Sequence, residues 1–498
     1  MEKKYILALD QGTSSSRAIV FNSDFQIVGL HQKEFKQIYL NDSWVEHDPE
    51  DIWQSQYLSA LEAIRDANIS PEEIASIGIT NQRETTIIWD RNTGKPVYNA
   101  IVWMCRRTSS ICSKLEKDGY KDMIREKTGL IIDPYFSGTK IKWLLDNIPG
   151  IRQRAEKGDL MFGTVDSWLL YRLTGNREHK TDYTNASRTM LFNIKENRFD
   201  EELLKLLDIP GSLLPEVLPC NSIFGYTDPS LFGGVSIPIG GIAGDQHAAL
   251  LGHGCIHEGM AKNTYGTGCF MLTNCGEKFV ESKNGLLTTI AYNIDGKTIY
   301  AFEGSIFNAG STIQWLRDEL QFFSDSKDSE YFAGKVKDSD GVYVVPAFSG
   351  LGAPYWDRYA RGVIVGLTRN SNRNHITRAA LESIAYQAEV VLETMESDSG
   401  EHIHTMEVDG GASANNLLMQ FQADISDKTI VRPKNKEATA LGAAFLAALS
   451  SGLIGSLEET ASFKEIETVF VPKIDDEKRK ELMKGWKKAV DRSRSWAD

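Results

Sequence analysis

The stretch Asp10-Gln11-Gly12-Thr13-Ser14-Ser15-Ser16-Arg17 sets a carboxylate directly after an apolar run, then a glycine, a row of hydroxyls and a guanidinium. A plain hairpin needs a turn, but not that much hydrogen-bonding capacity. The residue types suit a loop that wraps an anionic group: Gly12 lets the backbone approach closely, and Thr13, Ser14 and Ser15 supply donors. Asp10, at the strand end, is poised to hold a Mg²⁺ ion through the ion's retained waters. The plain alternative is a polar turn with a capped edge. A second Gly-Thr turn, Tyr265-Gly266-Thr267-Gly268, also between strand-like runs, moves the balance toward phosphate.

Two familiar nucleotide signatures fail. Gly296-Lys297-Thr298 resembles the end of a P-loop, but the required upstream glycine is Ala291. Gly266-Thr267-Gly268 is followed by Met271 where a dinucleotide fingerprint needs its third glycine. Elsewhere, Asp409 ends a strand-like run before Gly410-Gly411, which leave a flat approach for a purine or ribose, and Asn415 offers both donor and acceptor; a tight strand-to-helix turn is the competing account. If the next candidate helix begins near Asn308, Gly310 and Gln314 share one face beside an N-terminus that favours phosphate. Arg83 and Glu84 are adjacent, so they cannot both line a pocket from within a strand and must sit at a strand end or bend. There they offer donors and acceptors together; a surface ion pair is the ordinary alternative. His253, Cys255 and His257 have a zinc-like spacing without an evident fourth ligand, so they read as structural residues.

The elements that must position these groups alternate in type. Asp48 is a natural N-cap with Pro49 at the first helical position, and Trp53, Tyr57, Leu61 and Ile64 then form one stripe. Residues 375–395 and 437–449 read the same way, and helices alternating with short apolar runs point to an α/β fold. At 498 residues the chain is too long for one core. Two related turns so far apart suggest a duplicated domain, each half giving one loop to a shared cleft, with halves 1–252 and 253–498. A net charge of −13 argues against nucleic-acid or anionic-membrane partners. Six cysteines without a CxxC pair fit buried thiols in a reducing compartment. The first residues hold too short an apolar run for a signal peptide. Ala438–Leu457 carries no charge, but "SSG" at 450–452 breaks it, which favours a buried helix over a membrane span. A cytoplasmic protein is expected.

"DQGTSSSRA", "YGTG" and "VDGGASANN" together resemble the phosphate-1, phosphate-2 and adenosine elements of the actin, hexokinase and sugar-kinase superfamily. Within it, "GITNQRETTIIWD", "IVWMCRRT", "DPYFSGTKIKWLLDN", "TDYTNASRTMLFNI", "GIAGDQ", "KNTYGTGCF" and "VYVVPAFSGLGAPYWD" are similar to the glycerol-kinase branch of the FGGY carbohydrate-kinase family, in order, from about residue 5 to 490. The resemblance implies two ribonuclease-H-like (actin-like ATPase) domains around an interdomain active-site cleft. It also implies ATP-dependent phosphorylation of glycerol to sn-glycerol 3-phosphate by direct in-line transfer, with Mg²⁺, in a homodimer or homotetramer.

Carried over residue by residue, the resemblance places Thr13, Ser14, Ser15, Arg17, Thr267, Gly310, Gln314, Gly411 and Asn415 on the nucleotide. It places Arg83, Glu84, Tyr135, Asp245 and Gln246 on the polyol, with Trp103 and Phe270 over its carbon edge. Asp245 becomes the base for the attacked hydroxyl, with Asp10 and Asp245 near the metal. Domain closure is expected to keep water from competing as acceptor. Some positions depart from the family pattern: His247 and Met104 where glutamine is frequent, and Ser14 where threonine is commoner. The loop "TDPSLFGGVS" lacks the histidine and basic residue associated with regulation in relatives. Two other readings stay open: a pentulose kinase sharing the nucleotide loops, and a non-enzymatic ATPase scaffold.

Overall fold

The protein is described here by a computed structural model covering residues 3–41 and 43–497. Two large sheets share one plan. In the first, the strand Tyr5–Gln11 pairs antiparallel with its hairpin partner Ser15–Phe21 on one side and parallel with Ile74–Asn81 on the other. Pro238–Gly244 continues the parallel set beyond Ile74–Asn81. In the second, Ala261–Tyr265 pairs antiparallel with its hairpin partner Cys269–Asn274 and parallel with Thr405–Asp409, which is followed by Thr429–Pro433. Both Gly-Thr segments are therefore hairpin turns at equivalent places in their sheets.

Parallel pairing decides where chemistry gathers, because strands running the same way end at the same sheet edge. Gln11 lies opposite Asn81, and Asn81 opposite Gly244. The first hairpin turn, the Gln82-Arg83-Glu84 bend and Asp245 thus leave the sheet together. In the second sheet Thr264 lies opposite Asp409, so the 266–268 turn and Gly410-Gly411 emerge side by side.

The helices follow their sequence signals. Pro49–Asp66 is capped by Asp48, whose side chain accepts from the Glu50 N–H. Along its stripe Trp53 and Ile64 are buried, while Tyr57 and Leu61 are half-buried. Arg373–Ser399 runs from an Asn372 cap to left-handed Gly400, and Ala438–Ser451 ends at left-handed Gly452. No helix among the described residues is long and apolar enough to cross a membrane.

The expected division at 252/253 separates the two sheets in sequence but not every element in space. The helix Ala438–Ser451, from the second half, packs on the first sheet: a Cβ at Gly78 would stand 2.2 Å from the Ala443 carbonyl oxygen. It also crosses the helix Asp245–Gly252 at backbone contact. A Cβ at Gly442 would lie 1.8 Å from the Ala248 oxygen, and one at Gly252 would lie 1.9 Å from that of Ala438. These two helices form the junction between the sheets.

The crossing yields a test of sign. In an ordinary helix, Gly→Ala stabilises by about 1 kcal/mol. At Gly442 the added carbon meets main chain rather than a flexible side-chain tip, and overpacking of that kind costs about 1–3 kcal/mol. Gly442→Ala is expected to lower stability in urea denaturation; a gain would mean the helices do not cross this closely.

Candidate active site

Arg83 and Glu84 lie in the bend just past Asn81, where Glu84 adopts a φ of +60°. That left-handed conformation is unfavourable for a non-glycine residue and persists only where its surroundings fix it. Here the Glu84 carbonyl accepts from Ser137 Oγ and Thr86 Oγ1, each at 3.1 Å, and from Lys140 Nζ at 3.4 Å. Lys140 also donates to the Tyr135 carbonyl. Burial depresses its ammonium to about 8, against the pull of Glu84.

The two residues are not each other's partner, contrary to a simple Arg-Glu pair: Arg83 Nε and Glu84 Oε1 are 3.9 Å apart. Arg83 instead grips Glu303 of the second sheet end-on, Nη1 to Oε2 at 2.5 Å and Nη2 to Oε1 at 3.1 Å. Arg188 donates to Glu303 Oε1 at 2.9 Å and, through Nε, to Glu84 Oε1 at 2.6 Å. All four side chains are buried. Burial alone would raise the Glu303 carboxyl, but Arg188 and Arg83 outweigh it and hold it well below the carboxylate range. At Glu84 burial wins over Arg188 and Arg83, and the carboxyl is raised.

The opposite edge of Arg83 faces the cleft. Its Nε forms an ion pair with Asp245 Oδ1 at 3.1 Å, and Nη2 lies 3.4 Å from the Tyr135 hydroxyl. Asp245 opens the helix Asp245–Gly252, and its Oδ1 also accepts from the Gln246 N–H at 2.7 Å. Both fixed contacts use one oxygen, leaving Oδ2 without a partner among the described residues. Trp103 stands over the site, its ring centre 5.6 Å from that of Tyr135 and 6.3 Å from that of Phe270. Its indole N–H donates to Thr13 Oγ1 at 2.9 Å, tying the aromatic wall to the first hairpin turn. Gln246, nearly buried, accepts through Oε1 from Lys262. Lys262 also donates to Thr264 Oγ1 at 3.0 Å, and burial depresses its ammonium to about 8. With the Gln246 oxygen taken, its NH₂ is the group left for a ligand.

Residues expected in one acceptor pocket are thus brought together: Arg83, Glu84, Trp103, Tyr135, Asp245, Gln246 and Phe270. Sequence reasoning missed Arg188, Lys262 and Glu303. Arg188 and Lys262 stand inside quoted motif blocks, "TDYTNASRTMLFNI" and "KNTYGTGCF", whereas Glu303 lies in a strand with no motif of its own; in none of the three does spacing alone show which side chain it meets. His247 and Met104 adjoin these residues. His247 is buried with Nε2 3.4 Å from Thr289 Oγ1 and is held neutral by burial and by Arg83; Met104 packs on the same core as Trp103 and Tyr135.

On the nucleotide side the first turn is tight, Gly12 N–H donating to the Ser15 carbonyl at 2.9 Å. Ser14 is exposed, while Ser15 Oγ accepts from Gln32 at 2.8 Å. Ser16 does not belong to the loop: it is buried against Ser55 Oγ at 2.8 Å, because strand alternation turns it inward. Arg17 pairs with Glu437, just before the helix Ala438–Ser451, and sits opposite Asp10 in register. Across the cleft, Thr267, Gln314 and Gly411 are exposed. Asn415 caps the helix Asn416–Ser426 by accepting from Leu418 N–H, so its oxygen is engaged and its amide NH₂ remains.

One expectation is corrected. The helix near Gln314 begins at Gly310 rather than Asn308, and its first N–H groups are not free for phosphate. Ala309 N–H donates to Thr267 O at 2.9 Å and Gly310 N–H to Gly266 O at 3.0 Å. A Cβ at Gly310 would stand 2.6 Å from that Gly266 oxygen, so the glycine serves to seat the turn on the helix. His253 faces Asp409, Nε2 to Oδ2 at 3.2 Å, with Cys255 buried nearby.

Residues 5–252 match the N-terminal domain of the FGGY family of carbohydrate kinases, and residues 261–451 match its C-terminal domain. The chain belongs to this family. It is 61% identical over 496 residues to a glycerol kinase of Carboxydothermus hydrogenoformans, covering 100% of this chain and 99% of the relative. It is 60% identical over 496 residues to one of Haemophilus influenzae, with the same coverage. Among solved structures, a Plasmodium falciparum glycerol kinase with ADP superposes at a TM-score of 0.93 with 40% identity, over 99% of this chain and 98% of that one. A xylulose kinase of Lactobacillus acidophilus shares the fold, at a TM-score of 0.88 and 23% identity, over 98% of this chain and 97% of that one. The architecture is therefore the two-domain FGGY kinase fold.

Asp10, half-buried at the strand end, has its carboxyl pushed up to about 7, by burial first, with Arg17 opposing and Glu437 and Asp245 adding to the rise. An unfolded aspartate titrates near about 4. The folded form therefore holds the extra proton between about 4 and 7, and stability falls as pH rises through that window. Without metal or nucleotide, Asp10→Asn is expected to melt above the wild type at pH 8, with the gap narrowing toward pH 5. Equal melting at both pH values would contradict the assigned environment.

Proposed function

We propose that this chain transfers the γ-phosphoryl group of ATP to a terminal hydroxyl of glycerol, giving sn-glycerol 3-phosphate. Close similarity over the full chain to glycerol kinases, one solved with ADP, supports the substrates. The observation carrying the mechanism is Asp245: one oxygen is pinned by Arg83 and the Gln246 N–H, and the other has no protein partner among the described residues.

Glycerol lies against Arg83, Glu84, Tyr135 and Gln246, with Trp103 and Phe270 over its carbon edge. Gln246 donates through its NH₂, while Asp245 Oδ2 accepts the proton of the attacked hydroxyl. Such sites discriminate well, because an analogue lacking one hydroxyl leaves buried polar groups unpaired. The nucleotide spans Thr13, Ser14, Ser15 and Arg17 from the first half and Thr267, Gly310, Gln314, Gly411 and Asn415 from the second. Of these, Gly310 acts by seating the 266–268 turn. The two sheets, one from 1–252 and one from 253–498, close on both substrates and exclude water from the transferring group, with the helix Ala438–Ser451 held against the first sheet.

Among the described residues no cluster of three or more acidic, histidine or cysteine ligands is present. Asp10 and Asp245 as a carboxylate pair suit a Mg²⁺ that keeps its waters and sits on substrate phosphates. When bound, that ion supplies neutralisation of the charge on the triphosphate. Phosphoryl transfer is mostly positioning and electrostatics, so Asp245 need not be a strong base.

A coupled assay with ATP and glycerol, xylulose or no acceptor should show turnover with glycerol and little without a polyol. Preference for xylulose would point to a pentulose kinase, and acceptor-independent hydrolysis to a scaffold ATPase. Asp245→Asn should reduce glycerol turnover about a hundredfold or more while nucleotide binding, followed by calorimetry, persists. Near-normal turnover would remove Asp245 from the reaction.

A further inference from the structure

We infer that Glu303 is a positioning residue of the acceptor site, acting from the opposite half of the molecule through Arg83 and Arg188; this rests on the proposed reading of that site. Glu303 lies within the strand Lys297–Ile306, in register with Leu272 on one neighbour and Leu287 on the other. Its side chain is fully buried. A carboxylate is costly there unless each oxygen is engaged by charged donors. Oε2 takes Arg83 Nη1, and Oε1 takes Arg83 Nη2 and Arg188 Nη2. The bidentate grip fixes the guanidinium plane, not only its position.

That plane decides what Arg83 presents to the cleft. With the Nη ends held by Glu303, the Nε edge is turned toward Asp245 Oδ1, and Nη2 toward the Tyr135 hydroxyl. Through Arg188, the same carboxylate also reaches Glu84 Oε1. Two residues expected to meet the polyol are thus oriented by one group that does not touch it. Gln246 provides a parallel case, since Lys262 of the second sheet holds its amide. The first-half acceptor site is therefore completed only when the second sheet is in place.

Glu303→Gln keeps the shape but removes the charge and turns an amide NH₂ toward a guanidinium. The expected result is a KM for glycerol raised roughly tenfold or more and a lower kcat, with KM for ATP within about twofold of wild type. A thermal-shift titration reads the same point without turnover: glycerol-induced stabilisation should be lost while ADP-induced stabilisation persists. A variant with a lower melting temperature but unchanged glycerol KM and glycerol shift would overturn the proposal and leave Glu303 structural. If the glutamine form does not fold, Glu303→Asp, which keeps the charge but withdraws it by one methylene, is judged by the same two readouts. Wild-type protein runs alongside: its failure to turn over glycerol would retire the substrate assignment, whereas selective loss in the variant speaks to Glu303 alone.

Discussion

A guanidinium shared between two carboxylates from opposite sheets is the constraint around which the molecule is arranged. Arg83 cannot shed its charge, and burial would expel it unless partners surround it. Glu303 supplies one end and Asp245 the other, while Arg188 balances the remaining charge with Glu84. Removing one member of such a buried set typically costs about 3–5 kcal/mol, because the others are left uncompensated. The same contacts that balance the buried charge also set how Arg83 faces the cleft, so packing and the geometry of that cleft cannot vary independently here.

Around that centre the two sheets solve one geometric problem twice. Parallel strands deliver their ends to a common edge, and in each sheet that edge carries a Gly-Thr turn beside a polar bend. The crossing of Asp245–Gly252 with Ala438–Ser451 fixes how the edges face, and contact between main chains leaves little room to slide. Asp245 stands at the start of one of these helices, and Glu437 precedes the other while pairing with Arg17. Asp245 and Arg17 thus both sit at the junction itself, where a change in the angle between the sheets acts directly on both.

Polar groups at the site are largely spoken for by protein partners. The N–H groups of Ala309, Gly310 and Ser311 at a helix start satisfy the 266–268 turn, the Asn415 oxygen caps a helix, and the Gln246 oxygen faces Lys262. Among the described residues, the groups left without a protein partner include Asp245 Oδ2, the amide NH₂ groups of Gln246 and Asn415, and the exposed Ser14 and Thr267. That restriction gives direction to recognition, since the free carboxylate oxygen only accepts and the two amide NH₂ groups only donate, while the hydroxyls do either.

Sequence by itself determined the α/β class, both hairpin turns, the helix caps at Asp48 and Gly452, and the bend at Arg83-Glu84. Each rests on local rules of period, capping and strand alternation that need no distant partner. It also named the groups of the acceptor pocket through runs of contiguous motif. It did not reveal Glu303, Arg188 or Lys262, the inward turn of Ser16 onto Ser55, or the packing of Ala438–Ser451 on the first sheet. Those depend on which strands share an edge and which helices touch, and such contacts join residues that no local pattern relates, 39 positions apart for Ser16 and Ser55 and 220 for Arg83 and Glu303. A carboxylate inside an apolar strand looks like an exposed one until the fold shows that two arginines enclose it.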